Sequence, residues 1–137
     1  MDFSSVPGAR VATRLQEEEI IWLTTVRADG RPQSVPVWAL WDGETFLIYS
    51  KPDQPKTRNI AANPRVSLNL NSNARGGDIV RIEGMATVDP DAPTASEVPE
   101  YIAKYGEPIM RIGLNSERFA KEYSVAIRVT PTRWVAW

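Results

Sequence analysis

Polar and basic side chains are concentrated in one short segment, which runs from Ser50 to Asn59. The segment carries cations, hydroxyl groups and amides, on Ser50, Lys51, Gln54, Lys56, Thr57, Arg58 and Asn59. It lies between a predicted strand and a predicted short helix, where free backbone N–H groups and the helix dipole would favour a phosphate. Neighbouring cations also occur in ordinary solvated loops, and the spacing alone leaves both interpretations open.

An apolar segment two strands earlier, Val35–Trp38, could lie against a flat ring. Pro36 has no backbone N–H to donate, so its position predicts a sheet edge or a gap. Pro36, Val37 and Trp38 would then offer a surface whose backbone groups could contact ring heteroatoms. The alternative is a core strand with an aromatic anchor. In the same way, Trp38 and Trp41 could shape a substrate pocket or simply pack in the core.

The chain contains no cysteine and no histidine. This composition excludes disulfides, thiolate nucleophiles, imidazole metal ligands and a Ser-His-Asp triad. The carboxylates do not show the spacing of a calcium loop, and we expect no metal site. Any redox chemistry would therefore depend on an organic cofactor.

Length and charge narrow the class of protein further. A chain of 137 residues suits one domain, which we expect to cover residues 1–137. Lys plus Arg number 16 against 17 for Asp plus Glu, so no global positive field favours nucleic acid or an anionic membrane. No apolar run reaches the roughly 18 residues of a membrane span, and the first residues do not resemble a secretory signal. We expect a cytoplasmic protein without nucleic-acid or membrane partners.

Hydrophobic alternation and turn residues predict a mainly β chain with short helices. Asp-Gly pairs at positions 29–30 and 42–43 mark two hairpins. The predicted strands cover residues 20–28, 33–41, 45–50, 65–71, 79–88 and 123–129, with a short last strand at 134–137. The predicted helices cover residues 9–19, 56–63, 94–105 and 116–122, the last capped by Asn115. Six or seven strands with few helices favour a small, closed or nearly closed antiparallel barrel.

The predicted strand at 33–41 is unusual because it is apolar on both faces. One face carries Val35, Val37, Ala39 and Trp41, and the other carries Pro36, Trp38 and Leu40. A strand of this kind needs cover on both sides. A second copy of the chain could supply the second layer, so the pattern predicts a homodimer.

Five short motifs follow one another along the chain: Leu23-Thr24-Thr25, Asp29-Gly30-Arg31-Pro32, Val35-Pro36-Val37-Trp38, Lys56-Thr57-Arg58-Asn59-Ile60 and Asn63-Pro64-Arg65-Val66-Ser67-Leu68. Their order and spacing resemble the pyridoxamine 5'-phosphate oxidase-like split-barrel superfamily. More narrowly, they resemble its small actinobacterial branch, which binds the 5-deazaflavin coenzyme F420.

The resemblance implies a split β-barrel of the FMN-binding-protein type, assembled as a homodimer with two cofactor sites at the subunit interface. The cofactor phosphate would lie at the polar segment from Ser50 to Asn59. There we expect contacts from Ser50, Lys51, Gln54, Lys56, Thr57, Arg58 and Asn59. The tricyclic ring would lie against Pro36, Val37 and Trp38. The resemblance identifies no catalytic residue, and a proton could come from solvent, Tyr49 or a carboxylate.

The choice of cofactor lies between F420 and FMN. F420 adds a lactyl-oligoglutamate tail, for which Lys51, Arg58 and, less favourably, Arg75 could supply cations. True pyridoxamine phosphate oxidases carry further Arg and His residues, so the absence of histidine argues against vitamin B6 oxidation. We expect an F420-dependent oxidoreductase that transfers a hydride to a small organic substrate. The alternatives are an FMN-dependent reductase or oxidase and a non-catalytic flavin- or deazaflavin-binding module.

Overall fold

The computed structural model describes residues 8–137, which fold into seven strands, four α-helices and one short 3-10 helix at Ala95–Glu97. The strands are β1 (Ile21–Val26), β2 (Pro32–Val37), β3 (Leu40–Trp41), β4 (Phe46–Ser50), β5 (Arg65–Leu70), β6 (Val80–Val88) and β7 (Val125–Ala136). The α-helices are α1 (Gly8–Glu17), α2 (Pro55–Ala62), α3 (Pro99–Arg111) and α4 (Ser116–Glu122). None of these helices combines the length and the apolar character that crossing a membrane requires.

The strands form one antiparallel sheet in the order β2-β1-β5-β6-β7-β4-β3. β2 and β3 are therefore its opposite edges, yet only Trp38 and Ala39 separate them along the chain. The three residue steps from Val37 to Leu40 span at most roughly 11 Å. The sheet has to curl until its edges nearly meet, and the predicted mainly β split barrel is confirmed. We call Trp38 and Ala39 the seam.

Both predicted Asp-Gly hairpins are present. Gly30 and Gly43 have φ angles of 87° and 98°, which glycine adopts without the steric cost that a Cβ would bring. The Asp29 carboxylate accepts a hydrogen bond from the backbone N–H of Arg31, and Asp42 closes the second turn in the same way. The turns set the register of β1 on β2 and of β3 on β4.

Two strand predictions are wrong, and the reason in each case is a distant partner. The single strand predicted at 33–41 breaks at the seam, because the Ala39 N–H bonds to a helix side chain and not to a neighbouring strand. The separate strands predicted at 123–129 and 134–137 are one strand, β7. Pro131 does not end it because a bulge opposite Gly84 lets the pairing resume.

The helix predicted at 94–105 also starts and ends later than expected. Residues Ala95–Glu97 form a 3-10 helix, and α3 begins at Pro99, which suits the first turn of a helix. The predicted cap of α4 is confirmed, because the Asn115 side chain accepts a hydrogen bond from the Arg118 N–H at 2.8 Å.

β4 is the strand that is buried on both faces. Phe46 and Ile48 belong to the core inside the barrel, whereas Leu47 and Tyr49 belong to a second core beneath α3 and α4. That second core also receives Trp38 and Leu40 from the segment predicted to need a partner subunit, so the same chain covers them. The apolar residues that remain exposed there are Val35, at 37%, and Pro36.

Two side chains of helix α3 form hydrogen bonds with the backbone of the seam. The Ala39 N–H donates to the Tyr105 hydroxyl at 2.9 Å, and that hydroxyl lies 2.8 Å from the carbonyl oxygen of Glu19. The Lys104 ammonium donates to the carbonyl oxygens of Leu15 (2.6 Å) and Ala39 (2.9 Å). Burial lowers the pKa of Lys104 to about 8. Through these bonds the seam, the end of α1 and α3 hold one another in place.

We expect Tyr105→Phe to destabilise the fold, because the variant leaves the buried Ala39 N–H without an acceptor. Such a loss typically costs about 1–3 kcal/mol. Tyr101→Phe is the matched control: Tyr101 is one turn away on the same helix and equally buried, but its hydroxyl has no partner among residues 8–137. Urea unfolding of both variants tests this, and equal losses would contradict the role given to the Tyr105 hydroxyl.

Candidate functional site

A cavity of about 290 Å³ lies beside the seam, between the end of β4, the start of α2 and the helices α3 and α4. Five of the predicted cofactor residues line it together: Pro36, Val37, Trp38, Ser50 and Lys56. The remaining lining residues are Ile20, Tyr49, Tyr101, Ile112, Phe119 and Tyr123. Folding therefore brings the predicted ring surface and part of the predicted phosphate segment to one place.

Trp38 is one of the residues that line this cavity, and neighbouring aromatic rings hold it in place. Its ring stacks on Tyr105, with centroids 5.0 Å apart and planes 11° apart, and on Phe119 at 5.7 Å and 21°. Trp41 packs in the core instead, with its ring centroid 4.6 Å from that of Phe46 and 5.4 Å from that of Trp134. Of the two tryptophans, only Trp38 belongs to the cavity.

The sequence interpretation missed three aromatic residues of the cavity, Tyr101, Phe119 and Tyr123. They lie on or directly after α3 and α4, where apolar residues at helical spacing are typical of core packing. Tyr49, considered as a proton donor, also lines the cavity, but its hydroxyl donates to the Pro93 carbonyl oxygen at 2.7 Å. Burial raises the pKa of Tyr49 to about 12, so this hydroxyl stays protonated at neutral pH.

Lys56 brings a positive charge to an otherwise largely aromatic cavity. The residue is partly buried, and burial lowers the pKa of its ammonium group. Among residues 8–137 no carboxylate pairs with it. A desolvated cation without a counter-ion favours the binding of an anion.

The other predicted phosphate contacts near Lys56 differ in how much of their hydrogen-bonding capacity is already used within the protein. The Ser50 hydroxyl is buried and donates to the Lys51 carbonyl oxygen at 2.8 Å, and the Thr57 hydroxyl donates to the Gln54 carbonyl oxygen at 2.8 Å. Both hydroxyl oxygens can still accept hydrogen bonds. The Gln54 side chain lies 3.4 Å from the Pro52 carbonyl oxygen and does not cap α2. Lys51 is exposed, with its ammonium 5.4 Å from the ring centroid of Tyr123.

Arg58 and Asn59 lie at a second depression, of about 520 Å³, on another side of α2. The buried Asn59 amide donates to the Thr25 hydroxyl at 2.9 Å and to the Gln33 side-chain oxygen at 2.8 Å. Both of its hydrogens are thus used to hold α2 against β1 and β2. The Arg58 guanidinium donates to the Asp53 carbonyl oxygen at 2.8 Å and is otherwise exposed. The predicted phosphate segment is therefore divided between two depressions.

The family model described as pyridoxamine 5'-phosphate oxidase matches residues 8–137 of this chain. Among curated proteins, none matches the sequence significantly.

Several solved structures resemble the fold over most of its length. An F420 reductase is 27% identical, with a TM-score of 0.71 over 90% of this chain and 94% of its own. HutZ, the heme storage protein of Vibrio cholerae, is 18% identical, with a TM-score of 0.69 over 93% and 92%. General Stress Protein 26 of Bacillus anthracis is 21% identical, with a TM-score of 0.67 over 93% and 96%. At these identities the last two are similar in fold alone.

Proposed function

We propose that this chain, which belongs to the pyridoxamine 5'-phosphate oxidase family, is a cytoplasmic F420-dependent oxidoreductase that reduces a small organic substrate. The observation that carries the proposal is the cavity that Trp38, Ser50 and Lys56 share, where an aromatic lining adjoins a cation that has no carboxylate partner among residues 8–137. The 27% identity to an F420 reductase supports the choice of the deazaflavin.

The cavity suits the ring end of such a cofactor. Its volume of about 290 Å³ lies at the lower end of small-molecule pockets, which is adequate for a flat ring system but not for a complete nucleotide-like cofactor. The aromatic lining, which includes Trp38, would contact the ring, and Lys56 offers a charge for the phosphate. The remainder of the molecule would extend along α2, where the other polar residues of the segment lie.

The division of the phosphate segment favours a cofactor with a long anionic tail. Lys56 and Arg58 are two residues apart on α2 and line different depressions. FMN ends at its phosphate and would gain nothing from Arg58. F420 continues into a chain of carboxylates, and these would reach Arg58 at the second depression, where the other cation, Arg27, is already paired with Asp29 at 3.0 Å.

When bound, reduced F420 supplies a hydride. The residues of this chain would orient the ring, through the rigid stack of Trp38 on Tyr105 and Phe119, and exclude water with the aromatic lining. Tyr49 is a poor proton donor, because its hydroxyl is held by Pro93 and keeps its proton. The proton for the product would therefore come from solvent at the cavity mouth.

The proposal includes a homodimer. Apolar side chains are exposed beside the cavity: Val35 at 37%, Ile112 at 51% and its near neighbour Met110 at 72%. Pro36 on the edge strand β2 discourages pairing of strands between copies. A second copy would instead pack its face over these residues and close the mouth of the cavity.

We expect sedimentation to show a dimer at low micromolar concentration. Ile112→Glu should shift the protein towards monomers, because the new carboxylate would be desolvated at the contact. Lys121→Glu, which changes an exposed residue of α4 that does not line the cavity, should not. A stable monomer of the parent protein would contradict the dimer.

Parallel titration with F420 and FMN tests the choice of cofactor. We expect F420 to bind more tightly and reduced F420 alone to support turnover in a substrate panel. Equal or tighter binding of FMN, with FMN-supported turnover, would favour the FMN-dependent enzyme. Tight binding of F420 without turnover of any substrate would favour the non-catalytic module.

Lys56→Ala should weaken the binding of both F420 and FMN by roughly ten- to a hundredfold, since charge-assisted hydrogen bonds to the phosphate are worth about 1.5–3 kcal/mol. Arg58→Ala should weaken F420 but not FMN. Arg133→Ala removes an exposed cation of β7 that lines neither depression and serves as the control. Unchanged F420 affinity in the Lys56→Ala, Arg58→Ala double variant, measured at low ionic strength, would refute the site.

A further inference from the structure

Lys104 is a half-buried cation of α3 that lines neither the cavity nor the second depression. Lysine side chains usually extend into water, because removing an ammonium group from water costs free energy. The Lys104 ammonium instead donates to two backbone carbonyl oxygens, those of Leu15 and Ala39. Neither of these residues belongs to α3, so this side chain connects two segments outside its own helix.

The first connection reaches the end of α1. Leu15 lies in the last turn of that helix, where carbonyl oxygens lack partners within the helix and where a cation is favourable to the helix dipole. The residues after α1 are bonded to α3 as well, because the Tyr105 hydroxyl lies 2.8 Å from the Glu19 carbonyl oxygen and Arg111 donates to the Glu19 carboxylate at 2.9 Å. The next residue, Ile20, lines the cavity. Helix α3 therefore holds the end of α1 beside the cavity.

The second connection reaches Trp38. Ala39 directly follows Trp38, and both residues of the seam lie outside the strands, so side chains have to fix them. The Lys104 ammonium also lies 5.0 Å from the ring centroid of Tyr105, the ring on which Trp38 stacks. Lys104 thus contacts both the backbone next to Trp38 and the ring that supports it.

We propose that Lys104 is a positioning residue for the cavity: it sets the position of Trp38 from outside the cavity, and the affinity of the cavity for its cofactor depends on it. The part that concerns the cofactor rests on the proposed function.

The effect of Lys104 on binding follows from the populations of the seam conformations. Without the ammonium group, the carbonyl oxygens of Leu15 and Ala39 lose a charged donor, and the seam is free to adopt conformations in which Trp38 is displaced. A cofactor ring that needs Trp38 in place binds only the remaining fraction of molecules. Its apparent affinity then falls in proportion to that fraction, although no group that touches the ligand has changed.

Fluorine NMR tests the position of Trp38 without any ligand. The chain contains five tryptophans, and after labelling with fluorotryptophan each should give its own resonance. Trp38→Phe identifies the resonance of Trp38. In Lys104→Met, which replaces the ammonium group and keeps an apolar side chain of similar length, we expect the Trp38 resonance to shift or broaden. The resonance of Trp22, which is bonded to Asn71 on β1, should not change.

Titration with F420 tests the effect on binding. We expect Lys104→Met to weaken the affinity by roughly three- to thirtyfold, the usual range for a residue that acts on a site without touching the ligand. Arg14→Met is the matched control, because Arg14 also donates to two backbone carbonyl oxygens, those of Asn71 and Asp78, and neither belongs to the seam. It should leave both the Trp38 resonance and the affinity for F420 unchanged.

Three results would overturn the inference. An unchanged Trp38 resonance in Lys104→Met would show that the lysine does not position the ring. Equal changes in Arg14→Met would indicate a general loosening of the fold. If Lys104→Met does not fold at a temperature at which Arg14→Met does, the role of Lys104 lies in folding alone.

The two measurements also separate this inference from the proposed function. A parent protein that binds neither F420 nor FMN would refute the proposed function, whereas a changed Trp38 resonance in Lys104→Met would still support the positioning role. F420 binding by the parent as expected, with the same affinity in Lys104→Met, would refute the inference alone.

Discussion

The two residues of the seam are the constraint on which the rest of the structure depends. They connect the opposite edges of a seven-stranded sheet, so the sheet must curl around them. Closure leaves the backbone of Ala39 outside the strand ladder, and the side chains of Tyr105 and Lys104 satisfy it from α3. The same step turns Trp38 outwards, where it stacks on Tyr105 and Phe119. The turn that closes the barrel therefore also places Trp38 among the residues that line the cavity.

The position of the cavity follows from the two cores. Strand β4 separates the core inside the barrel from the core beneath α3 and α4, and its alternate side chains contribute to each. The helices cover the outer face of β4 and the seam but stop before β2, where Val35 and Pro36 remain exposed. The cavity lies at this border, which is why strand, seam and helix residues all line it.

Local signals in the sequence were sufficient where the interaction itself is local. The Asp-Gly turns and the Asn115 cap depend on residues within a few positions, and both are present as predicted. The break at the seam depends on Tyr105, which lies 66 residues beyond Ala39. The continuity of β7 past Pro131 depends on a bulge against β6. The spacing of apolar residues along the chain does not reveal such distant partners. The strand predicted at 33–41 is therefore two strands in the structure, and those predicted at 123–129 and 134–137 are one.

For the candidate site, too, the sequence predicted part of the arrangement and missed the part that depends on distant residues. The motifs predicted a ring contact at Pro36–Trp38 and a phosphate contact at Lys56, and folding brings these residues to one cavity. The sequence could not show whether Asn59 has a structural role or binds phosphate. An asparagine that holds a helix in place and one that contacts a phosphate have the same side chain and can occupy the same position in a motif. Lys56 and Arg58 could not be assigned to different depressions either, although residues two apart on a helix do not face each other.

Whether each polar residue already has a partner provides a physical basis for separating structural from functional roles. The Asn59 amide, the Tyr105 hydroxyl and the Lys104 ammonium all bond within the chain, so each contributes to the free energy of folding. Lys56 and Tyr101 are desolvated without a partner, and burial shifts their pKa values away from the charged form, downwards for the lysine and upwards for the tyrosine. For the fully buried Tyr101, the unpaired hydroxyl makes the free protein less stable than an apolar side chain of the same shape would. An anion that bound beside Lys56 would gain a partner for its charge, and its binding would in turn stabilise the folded protein.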